Sequence, residues 1–538
     1  MKRFSLLFVS LLSSILLMAQ GGVKELQLNE ITSGYFRPET LQGVILVPNE
    51  DFYTQMNDEG TQIIKYSFVT GELVEVLFDV NTARDCPFKN FDSYSFSPDG
   101  TKLLIATETQ SIYRRSYKAV HYIYTLKNNT VEPLSDGGPQ QAPLFSPDSY
   151  QIAFVRDNNI FLVKLLYNNS ESQVTQDGEY NKIINGIPDW VYEEEFAFNS
   201  ALTFSEDSKL LAFIRFDESD VHSFSFPLYG GQAPFLKQFE LYPGFYTYKY
   251  PKAGQANAKV SVHSFDIKSR VTRKIEIPVA EDGYIPRIRF TKKENQLAVF
   301  TLNRHQNQLD LYIADARSTV SKLILRDESP QYIKPEVLDQ VHFYSDNFSF
   351  LSEKSGYQHL YWYNTQGTLV KQVTQGEFEV KNFLGWDAKE NSFYYESNEG
   401  NPLQSAIYKL DAKNKKTQLT NQQGTNRAIF SHSLKYFLNT HSNLKQPTSV
   451  ALIDNKGKTL KTLIDNNELK TKLAHYNLPE KELFSFTTPQ GTELNGWMIK
   501  PTNFSANKKY PVIQYQYSGP GSQEVLDRWA VGGDRQGI

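Results

Sequence analysis

Three consecutive carboxylates, Glu193, Glu194 and Glu195, stand in "DWVYEEEF" (189–196), directly behind a tryptophan and a tyrosine. Like charges this close repel one another, and aromatic neighbours lower the local dielectric, so the arrangement costs free energy unless a cation offsets it. Two readings are open. In the structural one, Asp189 caps a helix and the glutamates sit near the positive end of its dipole. In the chemical one, the carboxylates hold a cationic group. No self-sufficient catalytic motif accompanies them. The sequence has no Gly-x-Ser-x-Gly elbow, so it announces no nucleophilic serine. It also lacks a His-Glu-x-x-His metal site, a phosphate loop and a dinucleotide fingerprint, so no metal or organic cofactor is implied. The nine histidines are scattered, and His359 in "GYQHLYWYN" reads as a strand residue rather than a base.

The elements that must position such a site come from the rest of the chain. Its 538 residues exceed one ordinary domain and suit a repeat array plus a second domain. Hydrophobic residues at 40% and charged residues at 22% describe a globular chain. A net charge of -4 without a long basic run argues against nucleic acid as a partner. Residues 1–19, with Lys2 and Arg3 before an apolar stretch and Ala19 for cleavage, read as a secretory signal, which predicts an exported protein, periplasmic or secreted. No later stretch is long enough to span a bilayer. The single cysteine, Cys86, excludes an internal disulfide and is predicted to be a buried structural thiol.

A short pattern recurs: an aromatic, a polar turn, then a strand of alternating apolar residues. It is sharpest in "FSPDGTKLLIATE" from Phe96, "FSPDSYQIAFVRD" from Phe145 and "FSEDSKLLAFIRF" from Phe204. Looser copies start at Tyr53, Phe290, Phe343, Trp386 and Phe430, and most lie about 43 to 59 residues apart. That period is the one of four-stranded propeller blades, and eight copies predict eight blades. The interval between Phe204 and Phe290 is longer and holds an apolar, proline-bearing insertion around 219–255, read as a flap or an interface arm. Near residue 475 the pattern changes. "ELFSFTTPQGTELNGWMIKP" reads as two strands and "YPVIQYQYSGPG" as a third, the start of a second sheet.

Four stretches taken together, "NGIPDWVYEEEF", "YRRSYKAVHYIY", "YPKAG" and "KKYPVIQYQYSGPGSQ", resemble the dipeptidyl peptidase IV branch of the prolyl oligopeptidase family, in that family's order. The resemblance implies a mainly β chain: a propeller over 46–474, preceded by a segment (20–45) packing near the hydrolase domain, and the beginning of an α/β-hydrolase domain over 475–538. It implies that Glu194 and Glu195 bind the free α-amino group of a peptide, an ammonium whose three donors can pair with both carboxylates. Glu193 is not expected to touch substrate. Arg114 matches the arginine that orients those glutamates and contacts a substrate carbonyl, with Arg115 its easily confused neighbour. Tyr517 matches the tyrosine that donates to the oxyanion of the tetrahedral intermediate.

The implied activity is a serine exopeptidase releasing Xaa-Pro or Xaa-Ala dipeptides from peptides with a free N-terminus, working as a homodimer through the arm. The family's serine, acid and histidine would follow Tyr517, and the sequence reaches Ile538 without them, which predicts a truncated chain that cleaves nothing by itself. A noncatalytic propeller that binds peptide N-termini or a partner protein is the alternative.

Overall fold

The computed structural model describes residues 24–232, 234–420, 423–517, 519 and 521–529. The predicted signal over 1–19 lies outside the described residues. Eight antiparallel sheets follow one another along the chain, at 45–79, 93–133, 141–173, 183–275, 284–328, 347–372, 380–418 and 425–464. They are the blades of an eight-bladed β-propeller. Each blade pairs its strands in sequence order, so the commonest link is a tight hairpin. Blade six has three named strands and completes its inner edge with a bridge from Phe343 to Phe348.

The recurring turn explains itself chemically. In blade two Ser97 Oγ donates to Asp99 Oδ1 (2.6 Å) and accepts the Lys102 N–H (2.9 Å), while Gly100 takes a left-handed φ of 72°. Blade three repeats this with Ser146, Asp148 and Gln151, and blade four with Ser205, Asp207 and Leu210. There the left-handed residues are Ser149 and Ser208, and their hydroxyls gain a second use. Ser149 Oγ accepts the Asp99 N–H of the preceding blade (3.1 Å), and Ser208 Oγ accepts that of Asp148 (3.0 Å). The motif thus closes its own hairpin and stitches neighbouring blades.

The ring closes without a shared strand. Blade eight meets blade one through side chains: the Ser433 N–H and hydroxyl both donate to the Asp51 carboxylate (3.0 and 2.8 Å), and Lys461 pairs with Glu72 at 2.7 Å. Between strands the interior is apolar, with Phe154, Phe213, Phe216, Phe300 and Tyr395 fully buried.

Blade four departs from the pattern twice. Its innermost strand is split into Ile183–Asn185 and Leu202–Phe204, which both pair with Leu210–Asp217. The residues between them leave the sheet as helix α2 (Trp190–Phe196), α1 being the short Leu28–Thr32. The insertion predicted around 219–255 forms a separate hairpin, Ser223–Leu228 against Gly244–Lys249, whose tip residues Leu241 and Tyr242 are 88% and 81% exposed. Because strands alternate in direction, every link from second to third strand in a blade leaves by the same face. That face therefore carries residues 112–116 of blade two, the arm of blade four, 398–405 of blade seven and 444–445 of blade eight.

The N-terminal segment packs beside the chain leaving blade eight. Lys24 pairs in parallel with Tyr476, Tyr476 donates to Glu30 (2.7 Å), and the Phe36 and Tyr476 rings meet edge to face at 5.0 Å. Beyond it, Lys481–Thr487 and Glu493–Ile499 pair as the expected hairpin. The third strand predicted in "YPVIQYQY" is not formed. A strand exists only by its ladder, and residues 511–517 pair with no strand; the Tyr515 ring lies 6.5 Å from that of Trp497 in the hairpin, while Val512 and Ile513 are 87% and 97% exposed. Among the described residues the segment after 475 thus contributes one hairpin. Cys86, predicted buried, is half-buried in the loop between blades one and two, its thiol donating to the Phe88 carbonyl at 3.4 Å. No helix among the described residues is long and apolar enough to cross a membrane.

Candidate functional site

The capping reading of "DWVYEEEF" holds. Asp189 is the N-cap of α2, its carboxylate accepting the Tyr192 N–H at 2.9 Å, and the helix ends at Ala197 in the left-handed region (φ 59°). Successive helical residues turn by about 100°, so three adjacent glutamates cannot share one environment. Tyr192 and Phe196, one turn apart, are fully buried against Phe216 and Tyr284. Glu193 flanks that face and is 1% exposed, Glu194 is partly exposed, and Glu195 faces solvent.

The expectation of a desolvated Glu194–Glu195 pair is therefore corrected. The desolvated carboxylate is Glu193, and its compensation is backbone. Its Oε1 accepts the N–H groups of Arg115 (2.6 Å) and Ser116 (2.8 Å), and its own carbonyl accepts Arg115 Nη1 (3.0 Å). Asn199, just past the helix, donates to the Arg115 carbonyl at 3.0 Å. The loop joining Lys102–Ser111 to Tyr117–Thr125 in blade two is thereby clasped onto the helix of blade four.

The clasp aims Arg114. Its guanidinium grips Glu194 through two groups, Nε at 2.9 Å from Oε2 and Nη2 at 2.8 Å from Oε1. The fork geometry fixes direction as well as charge, and Glu194 holds the guanidinium pKa above its ordinary value. With both partners half open to water, the pair is worth more as geometry than as stability. Glu195 has no hydrogen bond or ion pair among the described residues. Across from it stands Tyr332, whose phenol burial pushes up, with Glu336 and Glu195 adding to the shift. The structure thus brings Arg114, Glu194 and Glu195 together. Tyr517 is 65% exposed in the stretch 511–517 and makes no hydrogen bond to those three residues.

Sequence reasoning missed the layer beneath. The arm's inner face packs aromatic rings onto the site: Tyr250 lies 4.4 Å from Trp190 of α2, and Tyr248 lies 5.8 Å from Tyr113, the residue before Arg114. At the arm's root Glu218 is 5% exposed and in no salt bridge among the described residues. Burial, then the neighbouring Asp189, push its carboxyl up to about 8, against the opposing Lys249 charge. Burial lifts Asp189 to about 6. Tyr113 and Tyr180 also face Glu218.

The sign of the resulting pH dependence follows. Between about pH 4.5 and 8 the folded chain holds a Glu218 proton that the unfolded chain has released, so stability falls as pH rises through that window. Glu218→Gln, which stays neutral, is expected to flatten this slope and to gain about 2 to 4 kcal/mol over the parent at pH 9. Denaturant melts from pH 4.5 to 9 check it; parallel curves for the two proteins would overturn the burial argument.

Comparison with known proteins gives the chain a family. Residues 97–448 match the model of the dipeptidyl peptidase IV N-terminal region. Dipeptidyl peptidase 4 of Trichophyton rubrum is 30% identical over 495 residues, covering 89% of this chain and 62% of its own. The Trichophyton equinum dipeptidyl peptidase 4 is 30% identical over 494 residues, with the same coverage of 89% and 62%. The chain thus spans about three fifths of the length of these curated relatives. The crystal structure of Porphyromonas gingivalis dipeptidyl peptidase 4 superposes with a TM-score of 0.90 at 42% identity, covering 95% of this chain and 72% of that one.

Proposed function

Because the chain belongs to the dipeptidyl peptidase IV family, we propose that its propeller is the part of a serine-type exopeptidase that recognises a free peptide N-terminus. The proposed substrates are peptides releasing Xaa-Pro or Xaa-Ala dipeptides. One observation carries the reading: a carboxylate without a hydrogen-bond or ion-pair partner among the described residues, Glu195, stands beside one already oriented by an arginine fork, Glu194 with Arg114. An ammonium group has three donors and one charge. It can take both carboxylates, restoring the balance that Arg114 alone leaves short by one charge. Arg114 keeps donor capacity beyond Glu194 and can point it at a peptide carbonyl. A blocked amine would bring neither the charge nor the donors, and two acceptor-only groups would face it.

Tyr517 is proposed to donate to the oxyanion, and bond cleavage needs a nucleophile and base that no motif within residues 1–538 announces. The test is binding, which does not need cleavage. Titration calorimetry with a Gly-Pro-led peptide and with its N-acetyl form is expected to give at least 30-fold weaker binding after acetylation, about 2 kcal/mol. Equal affinities would remove the reading.

A further inference from the structure

Residues 523–529 cross the propeller face that carries the Arg114 loop, and one residue makes most of the contact. The Asp527 N–H donates to the Leu403 carbonyl at 2.8 Å. Its carboxylate accepts Gln404 Nε2 at 2.9 Å through one oxygen and the Leu444 N–H at 3.0 Å through the other. Its carbonyl accepts the Thr425 hydroxyl at 3.0 Å. Leu403 and Gln404 lie in the second-to-third-strand link of blade seven, while Thr425 and Leu444 belong to blade eight. On either side, Gln523 donates to the Pro402 carbonyl (2.9 Å) and the Trp529 N–H to Ser442 Oγ (3.2 Å). Every polar group of Asp527 is thus engaged, and by two different blades. Residues 511–517, by contrast, make no hydrogen bond to the propeller among the described residues.

We propose that Asp527 is a positioning residue that latches the segment bearing Tyr517 onto blades seven and eight, and so sets how far the Tyr517 phenol stands from Arg114 and Glu194. This rests on the reading of Tyr517 as an oxyanion donor. The reach of the chain gives the latch its force. Ten residues separate Tyr517 from Asp527, so a latched phenol can lie no further than about 35 Å from the blade seven and eight links. On the other side of Tyr517 the nearest described hold is Tyr515, whose ring lies 6.5 Å from that of Trp497 in the strand Glu493–Ile499. Holding both ends of a chain removes most of the positions its middle can take. Aspartate suits the role because two oxygens accept two donors that diverge. Asparagine would turn an N–H toward one of them.

The latch is read by distance, with no catalytic step. Cys86→Ser removes the only native thiol, and cysteines at Tyr517 and at exposed Lys118, in the strand after the Arg114 loop, then carry nitroxide labels. Electron–electron double resonance should give one narrow distance distribution in this parent. Asp527→Ala is expected to broaden it at least twofold, and Asp527→Asn and Gln404→Ala to broaden it less, each with a melting temperature within a few degrees of the parent. A parent distribution already as broad as that of Asp527→Ala, or an Asp527→Ala distribution as narrow as the parent, would overturn the latch. The distances stand whatever Tyr517 does chemically, and the acetylation test does not involve Asp527, so the two proposals fail separately.

Discussion

Glu195→Ala is expected to weaken binding of a free-amine peptide about 30- to 1000-fold, 2 to 4 kcal/mol, and to leave folding stability unchanged. The separation of the two effects is the point. Glu195 is exposed and unpaired among the described residues, so removing it strands no donor there and opens no cavity. Its whole contribution is realised when an ammonium arrives. Glu194→Ala differs. It also frees the Arg114 guanidinium, which then presents an unopposed positive charge where the ammonium should sit. Its loss of affinity should equal or exceed that of Glu195→Ala. With the N-acetyl peptide, both substitutions should matter little. Calorimetry on the two peptides checks all four values; a Glu195→Ala protein that still prefers the free amine by the parental ratio would sink the assignment.

The second large effect belongs to the glutamate that meets no ligand. Glu193→Ala removes the acceptor of two backbone N–H groups in a partly buried contact. Charge-assisted bonds of this kind contribute about 1.5 to 3 kcal/mol each, so a stability loss of about 3 to 5 kcal/mol is expected. Arg114 should lose its aim as well, and the preference for a free amine should fall even at temperatures where the protein is folded. Glu193→Gln is the discriminating variant, since its amide oxygen can still accept both N–H groups. It should recover most of the stability and the amine preference. A Glu193→Gln protein as impaired as Glu193→Ala would mean that the charge matters and the clasp does not.

The fold was legible because blade turns carry their chemistry in their side chains. Ser97, Asp99 and Gly100 spell a hairpin, and their counterparts at 146–149 and 205–208 spell it again, which set the period and hence the eight blades. The weaker copies, such as the one from Phe343, gave their place but not their strand count. Of the site, the helix at 189–196 could be read from its cap. The fate of each glutamate could have been read too, since helical rotation places Glu193 beside the buried Tyr192 and Phe196 and Glu195 away from them. The assumption that adjacent carboxylates share a dielectric obscured it. The clasp could not be read. It joins residues 78 apart through backbone N–H groups, which every residue but proline has, so no side-chain pattern marks it. The third strand failed for the complementary reason: "YPVIQYQY" has strand composition, and composition does not supply the neighbour a strand needs.

The seam between Asp51 and Ser433 has a consequence for synthesis. Each blade is a single uninterrupted stretch of chain, so its backbone ladder can be complete soon after it leaves the ribosome, without waiting for distant residues. Contacts formed this way are close in sequence, which keeps the contact order of a chain this long low and its assembly sequential. The exceptions join blade eight to blade one, among them the pair of hydrogen bonds that spans 382 residues and the Lys461–Glu72 ion pair. Blade one must therefore hold an open flank until blade eight is made, and the ring becomes a ring only at that late moment. Rounding of the molecule is a separate event from the folding of its parts.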